Sequence, residues 1–409
     1  MSGFILSCSR LATPTEMLED GFVVVDGSSV AEVGRGTPPV SMFPLVDLGD
    51  VLVAPGFIDV HVHGGGGSEV NCATREEVEA SVRKLVRFHA GHGTTALVAT
   101  TVSDSPEALR TAVEAVAAVT EGQRSGVLGT HLEGPWISPR RAGAQFPGAL
   151  RPPSTAELAD LVSRGRGTLR LITMAPELEG ALEVIAAARA AGIVVSIGHT
   201  DADYETARAA FDAGARHATH LFSAMAPIHH RRPGPVAAAL ADDRVFLEII
   251  ADGVHIHPAL ISLVAALAPE RLVLMTDAIG ATGTPPGRHR LGRQEVLVSE
   301  SRAVLADHQE TLAGSVLTMD RAVKIAVGTS GVPLLTALRA ASLHPAMVLG
   351  ERRKGRLERG ADADIVVLDE DMAVVATVVG GRVAHDPRGA LAPLSSAAGD
   401  GQAAGDGPT

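Results

Sequence analysis

The stretch Pro55-Gly56-Phe57-Ile58-Asp59-Val60-His61-Val62-His63 decides how this chain is read. It is an apolar run with two histidines at its C-terminal end. In an extended strand, residues i and i+2 face the same side, so both imidazoles can turn toward one ion. Taken alone, the pair reads equally well as two surface histidines. Its weight comes from repetition downstream. Apolar strand candidates occupy residues 57–63, 95–101, 126–133, 169–175, 193–199, 217–222, 246–251 and 271–277. Ala-rich or amphipathic segments separate most of them. One opens on Ser105-Pro106-Glu107, a capping serine, a proline at the first helical position and an acid. Another, 179–191, repeats Ala and Leu at helical spacing and stops at Gly192. Strands alternating with helices in this way predict an α/β fold, a (β/α)8 TIM-type barrel. A doubly wound sheet would place a GxGxxG turn after the first strand, and none is there.

The flanks read differently. Residues 21–26 and 29–33 near the start, and 363–368 and 373–379 near the end, are strand-like, with Gly380-Gly381 as a hairpin turn. Both chain ends are therefore expected to build one small β-sandwich domain, from residues 1–53 and 356–388, around a barrel at 54–355. Past Gly389 the chain is mostly Ala, Gly and Ser, which predicts a disordered tail over 389–409 with no chemistry.

The net charge of −12 argues against nucleic acid as a partner. No apolar run approaches the roughly 20 residues of a membrane span, so no membrane partner is expected. Residues 1–19 lack a basic segment followed by an apolar one, the pattern of a secretory signal. Cys8 and Cys72 form neither a metal-spaced cluster nor a disulfide framework. These features together predict a cytoplasmic protein.

Barrel chemistry occurs at the C-terminal strand ends. Here those ends carry His61 and His63, His131 and Glu133, His199, His220 and Asp277. A carboxylate such as Glu133, placed after an apolar strand, is costly to bury unless it is paired or bound to a metal. His199 and His220 each read singly as structural histidines. Jointly, Glu133, His199 and His220 are the carboxylate and two imidazoles of a hydrolytic zinc-type site with positions open for water. Asp277 alone could cap a helix. Beside a metal it can take a proton from the attacking water and hand one to a leaving amine. His229, His230, Arg231 and Arg232 form a basic cluster that reads as a phosphate contact or as a solvated loop.

The first-strand stretch resembles the signature of the amidohydrolase superfamily. Longer motifs resemble its N-acetylglucosamine-6-phosphate deacetylase family, from about Pro55 to Thr318 and again at 360–368. They are His131-Leu132-Glu133-Gly134-Pro135-Trp136, Gly198-His199-Thr200, His220-Leu221-Phe222 with Ala224-Met225, Ala251-Asp252-Gly253-Val254-His255, Thr276-Asp277-Ala278 and Leu312-Ala313-Gly314-Ser315. The resemblance implies a barrel with a small β-sandwich and hydrolysis of an N-acetyl amide to an amino sugar phosphate and acetate. It implies Glu133, His199 and His220 as main metal ligands. His61 and His63 match a second metal site that some members keep, and Asp277 matches the acid/base. It further implies His255 and Arg231 as substrate and phosphate contacts, the arginine reaching the neighbouring site of a homodimer. Backbone at Ala224, Met225, Leu312, Ala313 and Gly314 matches sugar contacts.

One or two divalent ions are expected. Zinc comes first, and iron, manganese and cobalt suit the same ligands. The chain has only Lys84, Lys324 and Lys354, none of them in 169–175, which fits a site bridged by Glu133 and not by a carboxylated lysine. Two positions depart from the family pattern. Gln145 stands twelve residues after Glu133, where members usually carry histidine, and Ser223 stands where asparagine is common beside the phosphate. Both fall on the substrate side, so a different N-acetyl amino sugar or other N-acyl compound is the alternative substrate. A non-catalytic scaffold on the same fold would have lost its ligands, and this chain keeps them.

Overall fold

In a computed structural model of the chain, residues 3–121 and 126–396 are described. Eight parallel strands run β1 (Phe57–Val62), β2 (Thr94–Thr101), β3 (Val127–Glu133), β4 (Leu169–Met174), β5 (Val194–Ile197), β6 (His217–Ala218), β7 (Phe246–Ile250) and β8 (Leu272–Met275). Each pairs with its sequence neighbour. The circuit closes between β8 and β1. There the Asp277 amide donates to His61 O at 2.9 Å, and Thr276 Oγ1 donates to Asp59 Oδ2 at 2.6 Å. β1 and β2 are buried at every residue, as expected of parallel strands covered on both faces.

The helices begin where the local chemistry says they should. Thr74 and Glu77 form a reciprocal capping box at the start of Arg75–Ala90. Ser105 Oγ accepts the Ala108 amide at 3.3 Å at the head of Pro106–Glu121. Ser154 and Asp203 cap Thr155–Gly165 and Tyr204–Ala213. Their apolar faces pack on the barrel, and Trp136 is enclosed in the resulting core.

Three strands end two or more residues before the sequence predicts, and for one reason. β5, β6 and β8 end at Ile197, Ala218 and Met275. Two residues beyond each end, His199, His220 and Asp277 take left-handed backbone angles, with φ of 46°, 27° and 51°. The chain leaves the ladder in order to aim those side chains.

The second body is an eight-stranded sheet drawn from both ends of the chain. Gly3–Ala12, Met17–Asp26, Ser29–Arg35, Leu45–Asp47 and Leu52–Pro55 join Ile365–Leu368, Val374–Val379 and Arg382–His385. The seam is the antiparallel pair of Leu52–Pro55 with Ile365–Leu368. Alternation sets the faces: Phe4, Leu6 and Cys8 enter the main core of this domain, while Ile5 lies on the other face with Phe22 and Val24.

Two features differ from the sequence reading. Gly287–Leu291, Gln294–Val298 and Ala303–Leu305 form a three-stranded sheet after β8, and Leu291 from it lines the main cavity. Of the expected disordered tail, 397–409 lies outside the described residues. Ala392–Ser396 is a short helix, and Leu391 and Leu394 are buried in the β-domain core. Two leucines among small residues suffice to dock it.

Candidate active site

Six side chains meet at the C-terminal mouth of the barrel. His61 is the penultimate residue of β1 and His63 follows that strand, Glu133 ends β3, and His199, His220 and Asp277 follow β5, β6 and β8. None is more than 7% exposed. Left-handed backbone at non-glycine residues costs of order 1–3 kcal/mol and gathers at functional sites. Three of these six carry it.

The distances define two subsites that share Glu133. His199 Nε2 and His220 Nε2 lie 3.2 and 3.0 Å from Glu133 Oε1. His61 Nε2 lies 3.4 Å from Oε1, and His63 Nε2 lies 3.3 Å from Oε2. Asp277 sits on the His61–His63 side, with Oδ1 3.2 Å from His63 Nε2. The imidazole nitrogens also face one another: His199 and His220 Nε2 are 3.1 Å apart, and His61 and His63 Nε2 are 3.3 Å apart.

The other ring nitrogens explain this. His63 Nδ1 faces Thr100 O at 3.2 Å, His199 Nδ1 faces Arg141 O at 2.8 Å, and His220 Nδ1 faces Ser223 O at 3.2 Å. His61 Nδ1 faces Glu248 Oε2 at 3.4 Å. Each partner is an acceptor, so each Nδ1 carries a proton and each Nε2 is left facing Glu133. Four Nε2 atoms around one carboxylate call for positive charge between them, as protons on the rings or as a bound cation that takes their place. The donor set of nitrogen and carboxylate oxygen fits a divalent ion.

The titration behaviour of the metal-free chain makes the same demand. Burial disfavours a charged His61, yet Glu133, Glu248 and Asp277 outweigh it and hold the ring well above the ordinary histidine range. Burial also opposes charge on His63, but hydrogen bonds to Asp277 and Glu133 push it up to about 9. Burial alone would raise Glu133 and Asp277; the surrounding histidines pull both down instead. The carboxylates here draw positive charge to themselves, on the rings of His61 and His63 or on a bound cation.

A cavity of about 430 Å³ opens above the centre. Of the substrate-side candidates, Gln145, Ser223, Ala224, His255, Leu312 and Gly314 line it. Met225 and Ala313 lie buried behind their cavity-lining neighbours. Arg231 does not line this chain's cavity; it is exposed and donates to His230 Nε2 at 2.7 Å. His255 is oriented by Asp252, with Nδ1 2.7 Å from Oδ2. Gln145 is held at both ends of its amide. Its amide nitrogen donates to Glu133 Oε2 at 2.5 Å, and its oxygen accepts the Ser103 amide at 2.6 Å. One amide hydrogen is thus used on the metal carboxylate, and one remains for the cavity.

Sequence reasoning missed several residues that shape the site. Glu248, buried in β7, contacts His61 and also accepts the His220 amide at 3.1 Å. A lone acid inside Phe246-Leu247-Glu248-Ile249-Ile250 was the available signal. Asp59 ties β1 to Thr276 from beneath. Arg140 and Arg141 line the cavity, and Arg141 lends its carbonyl to His199. His131 belongs one layer down. Its Nε2 lies 2.8 Å from Thr173 Oγ1 and its Nδ1 3.3 Å from Thr100 Oγ1, so neither nitrogen faces the centre.

Comparison with known proteins agrees with this geometry. The amidohydrolase family profile matches residues 52–384. N-acetylglucosamine-6-phosphate deacetylase of Bos taurus is 42% identical over 347 residues, 82% of this chain and 84% of that protein. N-acetylgalactosamine-6-phosphate deacetylase of Escherichia coli O157:H7 is 37% identical over 93% of this chain and 99% of its own length. The structure of a mutant N-acetyl-D-glucosamine-6-phosphate deacetylase from Mycobacterium smegmatis, in complex with N-acetyl-D-glucosamine-6-phosphate, superposes with a TM-score of 0.88. It is 42% identical and covers 94% of this chain and 100% of that one. With its barrel, its histidine-rich strand ends and this degree of identity, the chain belongs to the amidohydrolase family, among the N-acetyl amino sugar phosphate deacetylases.

Proposed function

We propose that the protein hydrolyses the N-acetyl amide of N-acetylglucosamine 6-phosphate to glucosamine 6-phosphate and acetate. The observation that carries this is the convergence of four Nε2 atoms on Glu133 at the floor of a substrate-sized cavity. Glu133, His199 and His220 would hold one divalent ion, and His61, His63 and Glu133 could hold a second. Zinc is the first choice, with iron, manganese or cobalt suiting the same ligands. A bound ion of this kind acidifies water towards a pKa of about 7 and polarises the acyl oxygen.

The chain's own groups supply the remaining steps. Asp277 Oδ1 borders the centre and the cavity, where it accepts the proton of the attacking water. It returns that proton to the nitrogen as the C–N bond breaks. Gln145 steadies Glu133 and turns its second amide hydrogen toward the acyl oxygen. Ser223, Ala224, His255, Leu312 and Gly314 hold the sugar, with Met225 and Ala313 behind them. Arg231 is exposed on its own subunit, which suits an arginine that completes the phosphate site of a second copy in a homodimer. Among the described residues no helix is long and apolar enough to cross a membrane; the reading places the enzyme in the cytoplasm.

A second substrate is favoured by one observation. A relative that aligns with 93% of this chain, the Escherichia coli deacetylase, acts by name on the galactosamine epimer. Acetate release from both 6-phosphates and from both free sugars separates the readings. We expect a phosphate-dependent rate that is lost on chelation and restored by added zinc. Equal rates with and without phosphate would remove the phosphate site, and no acetate from any of the four would sink the reading.

A further inference from the structure

We infer that Glu248 is a positioning residue for the metal centre, orienting His61 in the second subsite and anchoring the backbone of His220 in the first. This rests on the two-subsite reading above. Glu248 lies in the middle of β7 and is 0% exposed. A single oxygen, Oε2, does both tasks, at 3.4 Å from His61 Nδ1 and 3.1 Å from the His220 amide. Among the described residues its ion-pair partner is His61, and its other oxygen, Oε1, has no hydrogen-bond partner.

A buried carboxylate without an arginine or lysine is costly, and a half-satisfied one more so. The contrast with the other rings shows what the acid adds. His63, His199 and His220 rest on neutral backbone carbonyls, whereas His61 alone rests on a carboxylate. That partner keeps the proton on Nδ1 and makes Nε2 a stronger donor to a cation. Without it, His61 is free to carry its proton on Nε2, where it cannot ligate. His220 needs the second bond because its left-handed φ of 27° must be held against relaxation.

The test is zinc binding by equilibrium dialysis with elemental analysis, on wild type, Glu248→Gln and Glu248→Ala, with circular dichroism to confirm folding. Wild type should hold two ions. Glu248→Gln keeps the shape and one acceptor oxygen but loses the charge, and should bind the second ion about tenfold more weakly. Glu248→Ala should weaken it about 100-fold and, by leaving the His220 amide without its acceptor, weaken the first ion by a smaller factor. If the alanine variant does not fold, the glutamine variant decides. Unchanged second-ion affinity in a folded Glu248→Gln protein overturns the role. One ion in wild type, unaffected by His61→Asn, instead overturns the two-subsite reading.

Discussion

His61, His63, His199 and His220 stand at the barrel strand ends, and His229 and His230 stand on the loop before the helix Gly234–Ala241. The first set is 0–5% exposed, with every Nδ1 on an oxygen acceptor and every Nε2 turned inward. In the second, the two rings lie 4.2 Å apart, His230 Nε2 accepts from Arg231, and Arg231 and Arg232 are exposed. The residue type is the same and the chemistry is opposite. Buried imidazoles whose outer nitrogen is occupied by an acceptor are placed to ligate an internal cation, the role proposed for them above. A half-buried and an exposed imidazole beside exposed guanidinium groups form a basic surface, which suits the phosphate contact proposed above.

The comparison breaks most sharply at Glu133, the carboxylate common to both subsites. Glu133→Ala should lose both ions and all deacetylation, with His229–Arg232 unaltered; metal retained at wild-type stoichiometry would mean that the four rings do not need the shared acid. Asp277→Asn keeps the histidine ligands and removes the proton acceptor. Its turnover should fall by roughly 10²–10⁴-fold with metal content intact; activity within a few-fold of wild type would dismiss Asp277 as the acid/base.

His89 is a buried histidine outside both groups, and it sharpens what burial alone does. Its Nε2 donates to a single protein group, Gly64 O at 2.9 Å, and faces no metal ligand set. Burial depresses its pKa to about 4, with a smaller push from His92 and against the pull of the Gly64 carbonyl. The folded value lies below the unfolded one. Its contribution is therefore present above the unfolded pKa of about 6.5 and is lost as pH falls from there towards 4. We expect about 3 kcal/mol of stability lost across that window, and a flatter profile in His89→Gln, read by denaturant unfolding at successive pH values. Superimposable profiles would contradict it.

The smallest effect belongs to the basic loop. Arg231→Ala should raise KM for the phosphorylated sugar by about 10–100-fold, the loss of one charge-assisted contact, while leaving kcat and the free sugar unchanged. A loss of kcat on both sugars would place Arg231 in the chemistry and erase the distinction between the two groups.

The barrel was legible because its strands are near-continuous apolar runs separated by capped helices, as at Thr74 and Ser105. The candidate ligands were legible because His61 and His63 follow the two-residue period of a strand, and because Glu133, His199 and His220 end apolar segments. Glu248 was not, since a single acid inside a strand gives no sign of which face it takes or what lies across the barrel. Nor was the three-stranded sheet after β8, whose Gly287–Leu291 strand carries two arginines and a histidine in five residues and has little apolar alternation. Gln145 was legible as a change of residue type but not as a partner of Glu133, because that bond joins a loop to a strand end.

Sequence alone determined the order of strands and helices and supplied the residue types of a metal-dependent hydrolase, because periodicity and capping are local properties of the chain. Only the tertiary structure decided which imidazole nitrogen faces the centre. That choice is made by acceptors from elsewhere in the fold: Thr100 for His63, Arg141 for His199 and Glu248 for His61. It also decided that His199, His220 and Asp277 leave their strands in left-handed geometry, which a local preference opposes and which packing and hydrogen bonding around the barrel mouth sustain.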